Sequence, residues 1–296
     1  MRQVLLSSLV LLSLAGCHRS PSDATTPRPS VRGCPEGMAF IPAGEFDSGD
    51  DAQRSFDPLP RRRAQVERGF CIERAEVSVQ AFRRCVVAGA CTAPVAFVNA
   101  TGDSRRLCNW DRPDADRHPV NCVIHAQALA YCGWADHPGG PRRLPREIEW
   151  EFAARGTVGR SYAWGDDPGP PARANFCGAE CETFAHSIDM PAIVALPGWS
   201  DPFPVTAPVD ALPEGATPEG VLNLTGNVSE WVDDAFEGRQ TLHSVLMPSE
   251  PGFQRIARGG SFHTREPHST PATARIREVT TGNSPWVGFR CARGVN

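Results

Sequence analysis

Hydrophobic positions along this 296-residue chain change rhythm three times. Near the amino terminus an unbroken apolar run from Val4 to Leu14 follows Met1-Arg2 and ends at Leu14-Ala15-Gly16-Cys17. The run is shorter than the ~20 residues a bilayer-spanning helix requires. A basic residue in front and small residues behind make residues 1–16 a cleaved export signal. From Cys17 to Gly33 almost nothing is apolar, and Ser, Thr, Pro and Arg dominate, which predicts a flexible tether. From residue 34 to 296 short apolar clusters alternate with turns. Helical spacing predicts helices over about 79–88, ending at Gly89, and over about 125–136, with Ala126, Leu129, Ala130 and Gly133 on one face. A third helix, 146–155, follows Pro145 and stops at Gly156. Strand-like runs lie at 38–41, 70–74, 255–262 and 287–292. The stretch from Gly156 to Gly220 has almost no periodicity, so it is expected to be disordered or held by something other than its own core.

Composition adds few exclusions. With 27 Gly and 28 Pro the fold is loop-rich. A net charge of −4 and no basic stripe interleaved with aromatics exclude a nucleic-acid partner. All positive charge is arginine, which removes lysine as a nucleophile. The segment before Cys17 resembles the lipobox of bacterial lipoproteins, which implies lipidation of Cys17 and a membrane partner through that anchor. The expected location is the cell envelope, at the outer membrane or periplasmic face. The other ten cysteines are an even set, read as disulfides in an oxidising compartment. Cys85 with Cys91 and Cys177 with Cys181 are plausible local bridges, although spacing does not fix connectivity. Glu147, Glu149 and Glu151 alternate along the 146–155 helix, so they are expected not to converge as acid and base but to pair with Arg143 or Arg155.

Several motifs follow one another in a specific order: Gly37-Met-Ala-Phe-Ile-Pro-Ala-Gly-Glu-Phe46, His118-Pro-Val-Asn-Cys-Val123, Ala130-Tyr-Cys-Gly-Trp-Ala135 and Arg143-Leu-Pro-Arg-Glu-Ile-Glu-Trp-Glu-Phe-Ala-Ala-Arg-Gly156. They continue with Tyr162-Ala-Trp-Gly165, Thr206-Ala-Pro-Val209, Asn223-Leu-Thr-Gly-Asn-Val-Ser-Glu-Trp231, Arg258-Gly-Gly-Ser-Phe262 and Gly288-Phe-Arg-Cys-Ala292. Together they resemble the formylglycine-generating, or sulfatase-modifying factor, domain family over nearly all of residues 34–296. The resemblance implies an α+β, C-type-lectin-like fold in a single large domain.

It also implies calcium, with Asn175, Phe176, Asp201 and Phe203 matching one family site and Asn223, Gly226, Val228 and Glu230 the other. Side-chain and backbone oxygens of this kind are the hard ligands calcium prefers. Cys132 and Cys291 match a family disulfide. The family's oxidases bind copper(I) through two cysteines placed three and eight residues after the serine of the Arg-Gly-Gly-Ser motif. Here those positions hold Thr264 and Ser269. An alcohol does not replace thiolate for a soft ion, so copper oxidase activity is not expected. The expected role is a calcium-stabilised binding or accessory module for a peptide, glycan or protein partner. The alternative is an oxidase with another metal, with His263 and His268 joined by His243 or Glu266 around iron; iron-dependent relatives, however, carry their histidines on a separate domain absent here.

Overall fold

In the computed structural model, which describes residues 33–51, 59–95, 104–134, 140–236, 254–264 and 272–295, Met38–Ile41 (β1) pairs antiparallel with Phe70–Glu73 (β4). The other edge of β4 takes Ala292–Gly294 (β9), so the first and last strands share one three-stranded sheet. Gly44–Ser48 (β2) and Arg62–Val66 (β3) form a separate two-stranded ladder, with Phe46 and Val66 turned inward and an Arg63–Glu45 pair at 2.9 Å on the exposed side. The third sheet runs in the order Arg275–Val279 (β7), Gln254–Arg258 (β6), Ser229–Ala235 (β5) and Val287–Gly288 (β8). Within it only the β5–β8 pairing is parallel.

Four α-helices lie among the described residues. Helix α1, Val79–Val87, starts at Ser78, whose hydroxyl accepts from the Ala81 N–H, and buries Val79, Phe82 and Cys85 at helical spacing. Helix α3, Glu147–Arg155, starts where the Glu149 carboxylate accepts from the Arg146 N–H at 2.8 Å. It stops at Gly156, whose φ of 60° suits a residue without a Cβ. Helix α2 is His125–Gly133, and here the face read from the sequence is corrected. Ala126, Leu129, Ala130 and Gly133 lie on the exposed side, whereas His125, Ala128, Tyr131 and Cys132 are buried. The reason is that Tyr131 stacks on Phe82 and Cys132 is bonded to Cys291, and these anchors outweigh the small apolar residues.

Helix α4, Ala179–Ser187, falls inside the stretch that lacks periodicity. That stretch is held by small local clusters, one of Ala174, Phe176, Leu196 and Trp199 and another around the Cys177–Cys181 bridge. The expected strand at 287–292 is split into β8 and β9, because the backbone leaves the sheet at 289–291 where Arg290 turns inward to Glu230. The expected strand at 255–262 ends at Arg258, before Gly259-Gly260.

Two large apolar clusters fill the interior. One joins Phe46, Phe70, Trp150, Phe152, Leu224 and Ile256; the other joins Phe82, Val120, Tyr131, Trp231 and Phe289. Each fully buried large side chain contributes about 1.5–3 kcal/mol. Ten cysteines form five bridges: Cys34–Cys71, Cys85–Cys91, Cys108–Cys122, Cys132–Cys291 and Cys177–Cys181. No described helix is long and apolar enough to cross a membrane. Cys17 and residues 1–16 lie outside the described residues.

Candidate functional site

The segment leaving β6 carries the Arg258-Gly-Gly-Ser261 motif and Thr264. Arg258 is fully buried and reaches two carboxylates of α3, Glu147 and Glu151, the latter at 3.0 Å, while its guanidinium lies 5.4 Å from the Trp150 ring centre. Glu147 and Glu151 therefore converge after all, since they stand one helical turn apart, but they converge on a cation. Burial raises Glu147, and Arg258 and Arg275 more than offset it, leaving the carboxyl below its usual range. Glu149 pairs with Arg143 at 2.6 Å and Glu151 also with Arg155 at 2.9 Å. These carboxylates are structural counter-ions.

Past Arg258 the backbone passes very close to α3. A Cβ on Gly259, at φ 99°, would meet the Trp150 ring at 3.0 Å and the Leu224 carbonyl at 3.3 Å, so only glycine fits. The chain then turns tightly over Ser261–Thr264. The Thr264 N–H donates to the Ser261 carbonyl at 2.8 Å, and the Ser261 N–H donates to the Thr264 hydroxyl oxygen at 3.1 Å. The Thr264 carbonyl accepts from the Cys177 N–H at 3.1 Å, which ties this turn to the Cys177–Cys181 bridge. The His263 ring stacks on Trp286 with centroids 4.2 Å apart. Ser269, His268, Glu266 and His243 lie outside the described residues. Among the described residues no group of three His, Cys, Asp or Glu is arranged to hold a metal ion.

The two oxygen-rich sets differ. In the first, Asp201 accepts from the backbone N–H groups of Phe176 (3.3 Å) and Phe203 (3.0 Å) and from the Trp199 indole (3.2 Å). Burial nonetheless pushes its carboxyl up to about 6. Asn175 donates its amide to the Val205 carbonyl and to Asn227, which fixes its orientation and leaves its buried Oδ1 without a hydrogen bond. An orphan buried oxygen beside an uncompensated carboxylate fits a divalent cation. In the second set, Glu230 is completely buried and its two oxygens are held by Arg290 at 2.6 and 2.7 Å, with the Trp150 indole at 2.8 Å. Asn223 and Asn227, both at positive φ, donate their amides to the buried Glu76 at 2.7 and 2.9 Å. Gly226 and Val228 sit in the same turn, with the Gly226 N–H given to the Gly259 carbonyl. The Glu230 carboxylate is already neutralised by a guanidinium, so the second set does not fit a divalent ion through that side chain.

Sequence reasoning missed Glu76, Arg258 and Arg290 as parts of this centre. A signal was present: Arg290 stands between Phe289 and Cys291 in a segment otherwise read as strand. A charge at a core position requires a buried partner.

A loop-rich α+β domain closed by its own terminal strands, with a Gly-Gly turn packed on a buried tryptophan, defines the class. The chain belongs to the family described as the sulfatase-modifying factor enzyme 1-like domain, whose pattern matches residues 23–295. It is similar to the mouse formylglycine-generating enzyme, 29% identical over 297 residues that cover 86% of this chain and 74% of the relative. It is also similar to a bovine relative named inactive C-alpha-formylglycine-generating enzyme 2, 31% identical over 189 residues covering 60% of this chain and 50% of that one. Among solved structures, PvdO from Pseudomonas aeruginosa superimposes with a TM-score of 0.65 at 24% identity, covering 87% of this chain and 94% of that one, which establishes a shared fold.

Proposed function

We propose that this chain is a family member without copper oxidase activity, anchored in the cell envelope through Cys17 and acting as a calcium-stabilised binding or accessory module. The observation that carries this reading is Thr264. At the position of a copper cysteine it offers a hydroxyl already used to close the Ser261 turn, and an alcohol is a poor ligand for copper(I). The bovine relative named inactive supports the idea that the fold persists without the chemistry. Calcium, in this reading, would be held by Asn175, Phe176, Asp201 and Phe203, where it would supply the charge that Asp201 lacks.

The test is incubation of the purified protein with copper and a sulfatase-type cysteine peptide, followed by mass spectrometry for aldehyde. No aldehyde is expected. Aldehyde formation, or stoichiometric copper or iron in elemental analysis, overturns the proposal. Thr264→Cys combined with Ser269→Cys is expected to gain copper(I) binding.

A further inference from the structure

Apolar side chains exposed singly are ordinary on a protein surface, whereas a charge-free cluster of them marks a contact. Among the described residues five large apolar side chains stand out in solvent, and three of them, Val87, Val95 and Leu129, belong to α1, the loop after it and α2. Val87 ends α1 and is 84% exposed, and Val95 is 74% exposed. Between them Ala88, Gly89, Ala90, Thr92 and Ala93 are exposed as well. From Cys85 to Gly102 the sequence holds no Asp, Glu, Lys, Arg or His, so this loop carries no charge of its own into a contact.

The loop is braced in this exposed position. The Cys85–Cys91 bridge closes its base, and the Ala90 and Cys91 N–H groups both donate to the Cys85 carbonyl. The Gln127 amide donates to the Thr92 and Ala93 carbonyls at 3.2 and 3.1 Å. Gln127 thereby clips the loop to α2, whose outward residues are Ala126, Leu129, Ala130 and Gly133. A surface ordered before it meets its partner loses little entropy on binding.

Two further observations say what covers it. Arg84 stands three residues before Val87 on the same side of α1, is exposed, and pairs with no carboxylate among the described residues. An apolar tip with a cation at its base matches a bilayer, which places anionic headgroups above an apolar boundary. The second observation is reach. The chain from Cys17 to Cys34 spans at most roughly 60 Å when extended, and a folded domain of the length of residues 34–296 is roughly 47 Å across. Any face of the domain can therefore touch the membrane that holds Cys17, at an effective concentration of the order of millimolar, where a weak patch suffices to select the face. A second copy of the chain fits less well, since two valines and a few alanines fall far short of the roughly 800 Å² per partner of a stable interface.

We propose that the 87–95 loop is a membrane-docking surface, with Val87 and Val95 entering the apolar boundary and Arg84 meeting anionic headgroups. The proposal rests on the reading of Cys17 as the lipid-bearing residue and adds that the tethered domain lies on the bilayer by this loop.

Cys17 is the one cysteine outside the five bridges, so the chain beginning at Cys17 couples through its thiol to vesicles of phosphatidylethanolamine and phosphatidylglycerol that carry a maleimide lipid, with no need of native lipidation. Amide hydrogen exchange, read by mass spectrometry, is expected to slow at least about threefold over 86–95 on the vesicles, while the segments carrying the other exposed valines, Val158 and Val194, are unchanged. Val87→Asp with Val95→Asp, or Val87→Asp alone should the pair not fold, is expected to restore the rate seen without vesicles. The mass of the Cys17 peptide from membranes of a bacterial host tests the anchor separately. A missing lipid there overturns the anchor reading on which the proposal rests, whereas a lipid without slowed exchange over 86–95 overturns the docking alone. Equal slowing at Val158 and Val194, slowing that persists in the Asp variants, or slowing that grows with protein concentration in the absence of vesicles, the mark of a second copy, also overturns it.

Discussion

Glu230 and Asp201 are both carboxylates with almost no solvent exposure, at 0% and 4%, yet they are stabilised in different ways. Glu230, on β5, has both oxygens engaged by the guanidinium of Arg290. Asp201, in the 175–203 stretch, accepts from three N–H donors and, among the described residues, pairs with no cation. At Glu230 the sheet therefore neutralises a buried charge internally. The irregular stretch leaves one charge to be met by a proton or by an ion from solution. Glu230 thus carries its counter-ion within the fold, whereas Asp201 depends on its surroundings.

The comparison breaks most sharply at Arg290. Arg290→Met leaves Glu230 buried without its cation, and a loss of about 3–5 kcal/mol is expected in urea unfolding. A loss under about 1 kcal/mol would mean that Glu230 has another counter-charge. The loop half is sharpened by calcium: chelated protein returned to calcium at about 100 times the dissociation constant is expected to gain about 2.7 kcal/mol, read as a rise in Tm. Asp201→Asn is expected to abolish that gain, and an unchanged Tm in the unsubstituted protein would remove the contrast between the two halves.

The smallest effect concerns Glu278 on β7, which lies opposite Arg255 in the ladder and which burial pushes from 4.5 to about 7. The folded state binds this proton more tightly than the unfolded chain, so stability is expected to fall as pH rises between those two values. Glu278→Gln is expected to flatten that slope and to stabilise the protein above neutrality by on the order of 1 kcal/mol, given that the group is partly exposed and screened. A wild-type profile already flat in this window would show that Glu278 keeps its ordinary affinity.

Much of the centre was readable because its elements are local. Gly89 after α1, Pro145 before α3 and Gly156 after it bound two helices to within a residue or two. The order of motifs carried the family, and Thr264 was visible as a replacement at a fixed offset from Ser261. Strands β2, β3, β5 and β7 were not legible, since Glu45, Arg63, Asp233 and Arg277 interrupt apolar runs at positions that face outward or pair across strands. The exposed face of α2 was misread for a different reason. Leu129 looks like core in one dimension, while the anchors Tyr131 and Cys132 owe their burial to Phe82 and Cys291, remote in sequence. The Glu76–Asn223–Asn227 cluster spans about 150 positions, beyond the reach of any local pattern.

The Cys34–Cys71 bridge has a mechanical consequence. Tension applied to the amino terminus enters the body through Cys34 and crosses the sulfur bridge directly to Cys71 on β4, the central strand of its sheet. Strands β1, β2 and β3 lie between the two cysteines in sequence, so this shortest covalent path bypasses them. Whatever holds this protein by its first residues pulls directly on the middle of a sheet.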